Sequence, residues 1–100
     1  ENTKDHHIIP IISSLFSFFQ KIMIYQFLED KSVQSAAKSL KVNPFFITQY
    51  RVASRNYNKG KLFKVFKFLK EYDLKSKGVN NKYTKQKGLL KELIFKILHT

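Results

Sequence analysis

The chain has 100 residues, enough for one compact core and too few for two independently packed domains. Lysine and arginine number 19 against 7 acids, and the resulting formal charge of +12 favours a polyanion or an acidic protein as partner. The absence of cysteine excludes disulfides, thiolate metal sites and cysteine nucleophiles, and it is compatible with a reducing, cytoplasmic location.

The sequence contains few glycines and prolines, and its apolar residues recur with the period of a helix almost throughout. We therefore predict an all-α fold, a single bundle of about five helices that spans residues 1–100. The chain begins with Glu1 and not with methionine, so we expect it to be a piece of a longer protein.

The first predicted helix runs from about Asp5 to Leu28. It carries more apolar residues than one core-facing stripe needs, so we expect part of it to lie at a subunit interface. A membrane span is disfavoured because Lys21 and several other polar residues interrupt the run, and a lysine inside hydrocarbon is costly. The candidate interface residues are Phe16, Phe18, Ile24, Tyr25 and Leu28.

Two shorter helices are predicted next. Ser32 can cap a helix that continues to about Leu40. Asn43 followed by Pro44 is the clearest local signal, because Asn is a preferred N-cap and Pro is pre-set for the first helical position. The helix that follows should end near Gly60. The expected buried faces are Val33, Ala36, Ala37 and Leu40 on one helix, and Phe46, Tyr50, Ala53 and Tyr57 on the other.

Residues 35–51, SAAKSLKVNPFFITQYR, have the outline of a helix-turn-helix. Ala37, Val42 and Ile47 fit the small and apolar positions of that motif, whereas Lys41 stands where the turn usually has glycine. Two interpretations remain open at this point: a motif that reads DNA bases, and an ordinary corner of a helical bundle. The outward face of its second helix would offer three side chains to base edges: Thr48, Gln49 and Arg51.

The fourth predicted helix, from Lys61 to about Lys77, separates its faces clearly, and Gly78 suits the position just after its end. Its expected buried stripe is Leu62, Val65, Phe66, Leu69 and Tyr72. Thr84 is a candidate cap for a fifth helix, whose expected stripe is Leu90, Leu93, Ile94, Ile97 and Leu98.

A lysine-rich surface accompanies the fourth helix and the connection after it. Such a surface either follows the phosphates of a nucleic acid, with an aromatic ring for stacking, or is only solvated. Any contact would be electrostatic. The candidate nucleic-acid contacts are Lys61, Lys64, Lys67, Lys75, Lys77, Lys82, Tyr83, Lys85 and Lys87.

Catalytic patterns are missing from the sequence. His6 and His7 are adjacent and face different sides of a helix, and His99 is almost terminal. The three glycines are isolated, so no phosphate-cradling loop is present. We therefore expect no catalytic residue, no metal site, no cofactor and no enzyme activity in this chain.

Four stretches in the same order resemble the C-terminal domain of the delta subunit of bacterial DNA polymerase III, a part of the clamp loader. These are IIPIISSLFSFFQKIMIY at 8–25, SAAKSLKVNPFFITQYRVASRNY at 35–57, LFKVFKFLKEYDLKSKG at 62–78 and LLKELIFKIL at 89–98. The resemblance covers nearly all of the chain, and it lies in a series of short motifs.

This resemblance implies a helical collar domain that packs beside other clamp-loader subunits, of the gamma/tau and delta-prime types, in DNA replication. It also implies that the sliding clamp is bound by an N-terminal part outside this chain, and that no ATP is hydrolysed here. We also expect no membrane partner. Segment 35–51 would then be a structural corner, with a helix-turn-helix DNA-binding domain as the alternative. The charge of +12 exceeds what the resemblance requires, which leaves open a sequence-independent contact with primed DNA.

Overall fold

The computed structural model describes residues 8–78 and 83–100, with only the backbone described at positions 83 and 84. All regular structure in this part of the chain is helical, which confirms the predicted all-α bundle. A 3₁₀ turn, Pro44–Phe46, leads directly into the third helix. The helices are α1 Ile8–Phe27, α2 Val33–Leu40, α3 Ile47–Asn56, α4 Lys59–Gly78 and α5 Tyr83–Leu98.

Helix α1 is central to the bundle because it contacts α2, α3, α4 and α5. By length and composition α1 is also apolar enough to cross a bilayer. Its most polar position is satisfied within the helix, since Lys21 Nζ donates to Ser17 Oγ at 2.8 Å. Inside the bundle, α1 supplies five buried side chains to the shared core: Ile8, Ile12, Phe19, Ile22 and Tyr25.

Helix α4 follows the predicted face closely. Leu62, Val65, Leu69 and Tyr72 are buried, and Phe66 packs against them at the edge of the core. Ser76 extends this stripe by one more turn, and its buried hydroxyl donates to the carbonyl of Asp73 at 2.7 Å. These positions are three or four residues apart, the spacing that lines one face of a helix.

Helix α5 buries a narrower stripe than predicted. Leu93 and Ile97 are core residues and Leu90 is half-buried, but Ile94 and Leu98 are exposed. The prediction was wrong for those last two because, among the described helices, α5 packs along α4 and α1, which leaves its outer side uncovered.

The predicted helix ends have mixed outcomes. Asn43 caps as expected, and its Oδ1 accepts from the backbone N–H of Phe45 at 2.8 Å. Ser32 precedes α2 but makes no side-chain capping hydrogen bond. Instead its own N–H donates to Asp30 Oδ1 at 2.9 Å, which lowers the pKa of that carboxyl. Thr84 lies inside α5, which starts at residue 83, and Gly78 is the last residue of α4.

The end of α3 is tied to two other helices by hydrogen bonds. Gln26 of α1 donates from Nε2 to the carbonyls of Ser54 (3.2 Å) and Tyr57 (2.6 Å). These carbonyls lie where a helix leaves acceptors without intrahelical partners. Tyr57 in turn donates from its hydroxyl to the carbonyl of Ile97 at 3.2 Å. Helices α1, α3 and α5 are thereby joined at one end of the bundle.

Candidate interaction surfaces

Acidic residues are absent from the sequence between Asp30 and Glu71, while lysines and arginines recur throughout that stretch. It contains α2, α3 and most of α4. Residues 31–70 therefore carry positive charge with no acid among them, and a surface of this kind attracts polyanions and acidic protein surfaces.

The turn between α2 and α3 has the backbone of a Schellman motif. Lys41 adopts the left-handed conformation, with φ 58° and ψ 45°. The N–H of Val42 bonds to the carbonyl of Ala37 (3.1 Å), and the N–H of Lys41 to that of Lys38 (3.3 Å). Such a turn normally uses glycine, because a side chain there costs on the order of 1 kcal/mol. Lys41 thus replaces glycine in the geometry that a helix-turn-helix requires.

The apolar anchors of this corner are placed as the helix-turn-helix outline predicts. Ala37 and Ile47 are buried, and Val42 packs against the core. Phe46, predicted to lie on the buried face of α3, is instead exposed in the 3₁₀ turn. Ile47 takes the core position because Pro44–Phe46 form a 3₁₀ turn, whose three residues per turn change which side chain faces inward where α3 begins.

Only two of the three proposed base-reading side chains face outward. Thr48 and Gln49 are exposed. Arg51 is half-buried, and its Nε donates to the hydroxyl of Tyr25 at 3.1 Å, so it points toward α1. The prediction of Arg51 as a base reader was wrong. Phe45, 79% exposed, gives the outer side of this corner an apolar character.

The first half of α4 carries lysines whose charges have no acidic partner among the described residues. Lys61, Lys64 and Lys67 are exposed and form no ion pair there. The Nζ of Lys67 lies 5.5 Å from the ring centroid of Phe63, a cation–π distance. These ammonium groups remain accessible to phosphates or carboxylates.

The second half of α4 pairs its lysines. Lys75 Nζ lies 3.0 Å from Glu71 Oε2, and Lys77 Nζ lies 3.0 Å from Asp73 Oδ2. The hydrogen bond within the first pair raises the pKa of Lys75 and lowers the pKa of Glu71. Both lysines lie on α4 and not in a loop, and because each is paired with an acid they are weaker candidates for contact with an anion than the sequence indicated.

The remaining candidate nucleic-acid contacts lie beyond α4. Lys82 and the side chain of Tyr83 lie outside the described residues. Lys85 and Lys87 are exposed, but they lie on the first turns of α5 and not in the connection. The described structure therefore does not gather these lysines into one loop surface.

The predicted interface residues of α1 separate into three groups. Tyr25 is 3% exposed and belongs to the core, so its assignment to an interface was wrong. Phe16, Phe18 and Leu28 are half-buried and pack against the core. Ile24 is 41% exposed, which leaves it accessible.

A groove between α1 and α4 was missed by the sequence analysis. We name it the α1–α4 groove, and it encloses about 180 Å³. Its rims are exposed aromatic rings, with Phe27 at 63% and Phe63 at 66%. The sequence contained one signal for this groove: Phe63 is an aromatic residue on the lysine-rich side of α4, away from the buried stripe. The lining residues are Met23, Phe27, Lys59, Leu62, Phe63 and Phe66.

Groups suited to metal binding do not cluster in residues 8–78 and 83–100, where no set of three His, Cys, Asp or Glu side chains converges. His6 and His7 lie outside the described residues. His99 has its ring centroid 4.1 Å from that of Phe95, and in the described part of the chain no acid or nucleophile is bonded to this exposed pair.

Comparison with protein-family models, curated proteins and solved structures finds no match to this chain. Functional inference therefore rests on the sequence motifs and on the geometry of these surfaces.

Proposed function

We propose that this chain is a non-catalytic assembly domain of a replication clamp loader, equivalent to the collar domain of a DNA polymerase III delta subunit. Its partners in this proposal are the gamma/tau and delta-prime types of loader subunit. The resemblance to the delta subunit rests on four motifs in the same order, and that order supports the proposed role as a collar domain. The observation that carries the proposal is the amount of apolar surface that one copy of the chain leaves uncovered.

The uncovered apolar surface follows from the shape of the bundle. Its principal extents are 45 × 30 × 16 Å, so it is no more than about two helices thick. The radius of gyration is 15.2 Å, whereas about 13 Å is usual for 100 residues in a compact domain. A thin body cannot enclose all of its large apolar side chains. Those left strongly exposed include Phe27, Phe45, Phe63, Leu74, Phe95 and Leu98.

Exposed apolar side chains of this size mark surfaces that bind other proteins where they lie together, as Phe27 and Phe63 do in the α1–α4 groove. They lie on several helices of the chain, which suits a domain that has neighbours on more than one side. A collar domain requires that arrangement, because each subunit in a ring of collars has a neighbour on either side.

Size-exclusion chromatography with light scattering tests this proposal. The chain is mixed with loader subunits of the gamma/tau and delta-prime types, and we expect a stable complex that contains one copy of the chain. Separate elution of all components at micromolar concentrations would reject the assembly role.

A second candidate function, DNA binding through the corner formed by α2 and α3, is favoured by the left-handed turn at Lys41. This turn and its buried anchors fit the outline of a helix-turn-helix, and the sequence from residue 31 to residue 70 contains no acid. Against it, Arg51 points inward and Phe45 stands where a polar contact to DNA would be expected. We therefore rank it below assembly.

Duplex binding separates the two functions. A base reader prefers one DNA sequence by about 4 kcal/mol or more, whereas a cationic assembly domain binds all sequences alike and loses affinity steeply with salt. We expect the second behaviour, and we expect Thr48→Ala with Gln49→Ala to leave duplex affinity unchanged. Selection of a single preferred sequence from a random duplex pool would instead support the helix-turn-helix function.

A further inference from the structure

The α1–α4 groove has the features of a docking site for one protein segment. We propose that it binds an amphipathic helix whose inner face is apolar and whose flanks carry carboxylates, contributed by a neighbouring subunit. This deepens the proposed function, and it rests on that function only for the source of the helix.

The floor of the groove is held in place by the core. Leu62 is buried, and Phe66 packs against the core and stacks on Phe16 with ring centroids 5.9 Å apart. The groove's volume of about 180 Å³ is below the range of roughly 300–1,000 Å³ that small-molecule sites usually enclose. It therefore suits a few side chains of a partner better than a cofactor.

The rims of the groove carry positive charge and no negative charge. Lys59 Nζ lies 4.4 Å from the ring centroid of Phe27, and Lys67 Nζ lies 5.5 Å from that of Phe63. Among the residues that the structure describes, no acid lines the groove. A partner that covers these ammonium groups with apolar atoms alone would bury uncompensated charge, which is unfavourable. The partner must therefore bring carboxylates beside its apolar residues.

A second copy of the chain is a poor occupant. A twofold dimer through this surface would place each groove against its own copy, because such an interface is self-complementary. Lys59 and Lys67 would then meet the same lysines. The sequence between Asp30 and Glu71 offers no acid in return.

Single-stranded nucleic acid also fits less well than an acidic helix. Bases bind by stacking on exposed ring faces. In this groove the lysine ammonium groups already cover one face of each rim ring, over Phe27 and over Phe63. What remains is an apolar cleft between two helices, the setting in which amphipathic helices dock with residues spaced three and four apart.

Fluorescence anisotropy with a labelled synthetic peptide tests the proposal. The probe is a helical peptide of about four turns with leucines on one face and glutamates elsewhere, and its counterpart has lysine in place of every glutamate. We expect the acidic peptide to bind at least about tenfold more tightly than the basic one, because only its charges complement the rims. Equal affinities for the two peptides would overturn the proposal.

Two matched phenylalanine variants locate the binding site. Phe63→Ser removes a groove rim, whereas Phe45→Ser removes a ring that is at least as exposed but lies in the turn before α3. We expect Phe63→Ser to weaken acidic-peptide binding by about tenfold or more, and Phe45→Ser to change it less than about twofold. Both side chains are largely exposed, so circular dichroism should show unchanged helix content. Equal losses in the two variants would reject the groove as the site.

A further arm separates a protein site from a nucleic-acid site. We expect labelled oligothymidylate to bind wild type and Phe63→Ser with the same affinity. If Phe63→Ser weakened oligothymidylate binding as much as acidic-peptide binding, the groove would be a nucleic-acid site and the proposal would be overturned.

The loader-complex experiment fails or succeeds independently of the groove. Binding of the acidic peptide that depends on Phe63, without any loader complex, would support the groove and reject the proposed function. A loader complex together with peptide binding that ignores Phe63 would support the proposed function and reject the groove.

Discussion

The two halves of helix α4 share one buried stripe but differ in how their lysines are used. From Lys59 to Lys70 every charged residue is a lysine, and none has an acidic partner among the described residues. From Glu71 onward, acids placed four residues before lysines form ion pairs. An acid that precedes a lysine by four residues is the favourable order for an ion pair on a helix. The number of lysines on a helix therefore does not measure the positive charge that is available to a partner.

The largest effect should come from the stripe that both halves share. Leu69 is completely buried, so Leu69→Ala removes packing in the core and leaves a cavity, and we expect a loss of about 2–5 kcal/mol in unfolding free energy. Leu74→Ala is the matched control, because Leu74 lies on the same helix but is 61% exposed, and we expect a change below about 0.5 kcal/mol. Urea denaturation followed by circular dichroism measures both. Similar losses in the two variants would show that α4 is not anchored by this stripe.

A smaller effect should distinguish the lysines of the two halves. Two double variants each remove two positive charges: Lys64→Gln with Lys67→Gln in the first half of α4, and Lys75→Gln with Lys77→Gln in the second half. We expect only the first double variant to make oligothymidylate binding clearly less dependent on salt. The slope of log affinity against log salt concentration should fall by about 0.7 for each phosphate that a lysine no longer neutralises. The paired lysines should contribute less, because Glu71 and Asp73 already neutralise them.

Binding titrations at several salt concentrations provide the slopes. Equal flattening by both double variants would mean that the ion pairs of α4 do not limit access to its lysines. No flattening by either would assign all four lysines to solvated surface.

The smallest effect should come from the ion pair between Glu71 and Lys75. The hydrogen bond from Lys75 lowers the pKa of Glu71 in the folded state, so this carboxyl stabilises the fold at pH values above its unfolded pKa. That contribution disappears as the pH falls through the lowered pKa, where the carboxyl becomes protonated. We therefore expect Glu71→Gln to lower the melting temperature slightly at pH 7 and to match wild type in acid.

Thermal melts across pH 2–7 follow this difference. Lys64→Gln is the control, since Lys64 has no acidic partner among the described residues and its effect should not disappear with the protonation of Glu71. A constant difference between Glu71→Gln and wild type at all pH values would rule out the ion pair as its cause.

Local signals in the sequence determined much of the fold. The cap at Asn43 followed by Pro44 and the stripe from Leu62 to Tyr72 depend on neighbours within one or two turns, so they were visible without a structure. The same holds for the all-α class, since helical periodicity repeats along the chain. Ser32 shows the limit of such signals: a residue suited to capping precedes α2, yet Asp30 binds its backbone instead.

Only the tertiary structure shows which of the residues predicted to lie on the surface are accessible there. Tyr25 is buried in the core, and Arg51 is turned inward to donate to its hydroxyl across the contact between α1 and α3. The left-handed conformation of Lys41 was hidden, since a lysine gives no conformational signal of the kind glycine gives. The α1–α4 groove could not be predicted either. It arises where two helices distant in sequence lie side by side, and the sequence pattern of one helix does not specify which side chains of the other will face it.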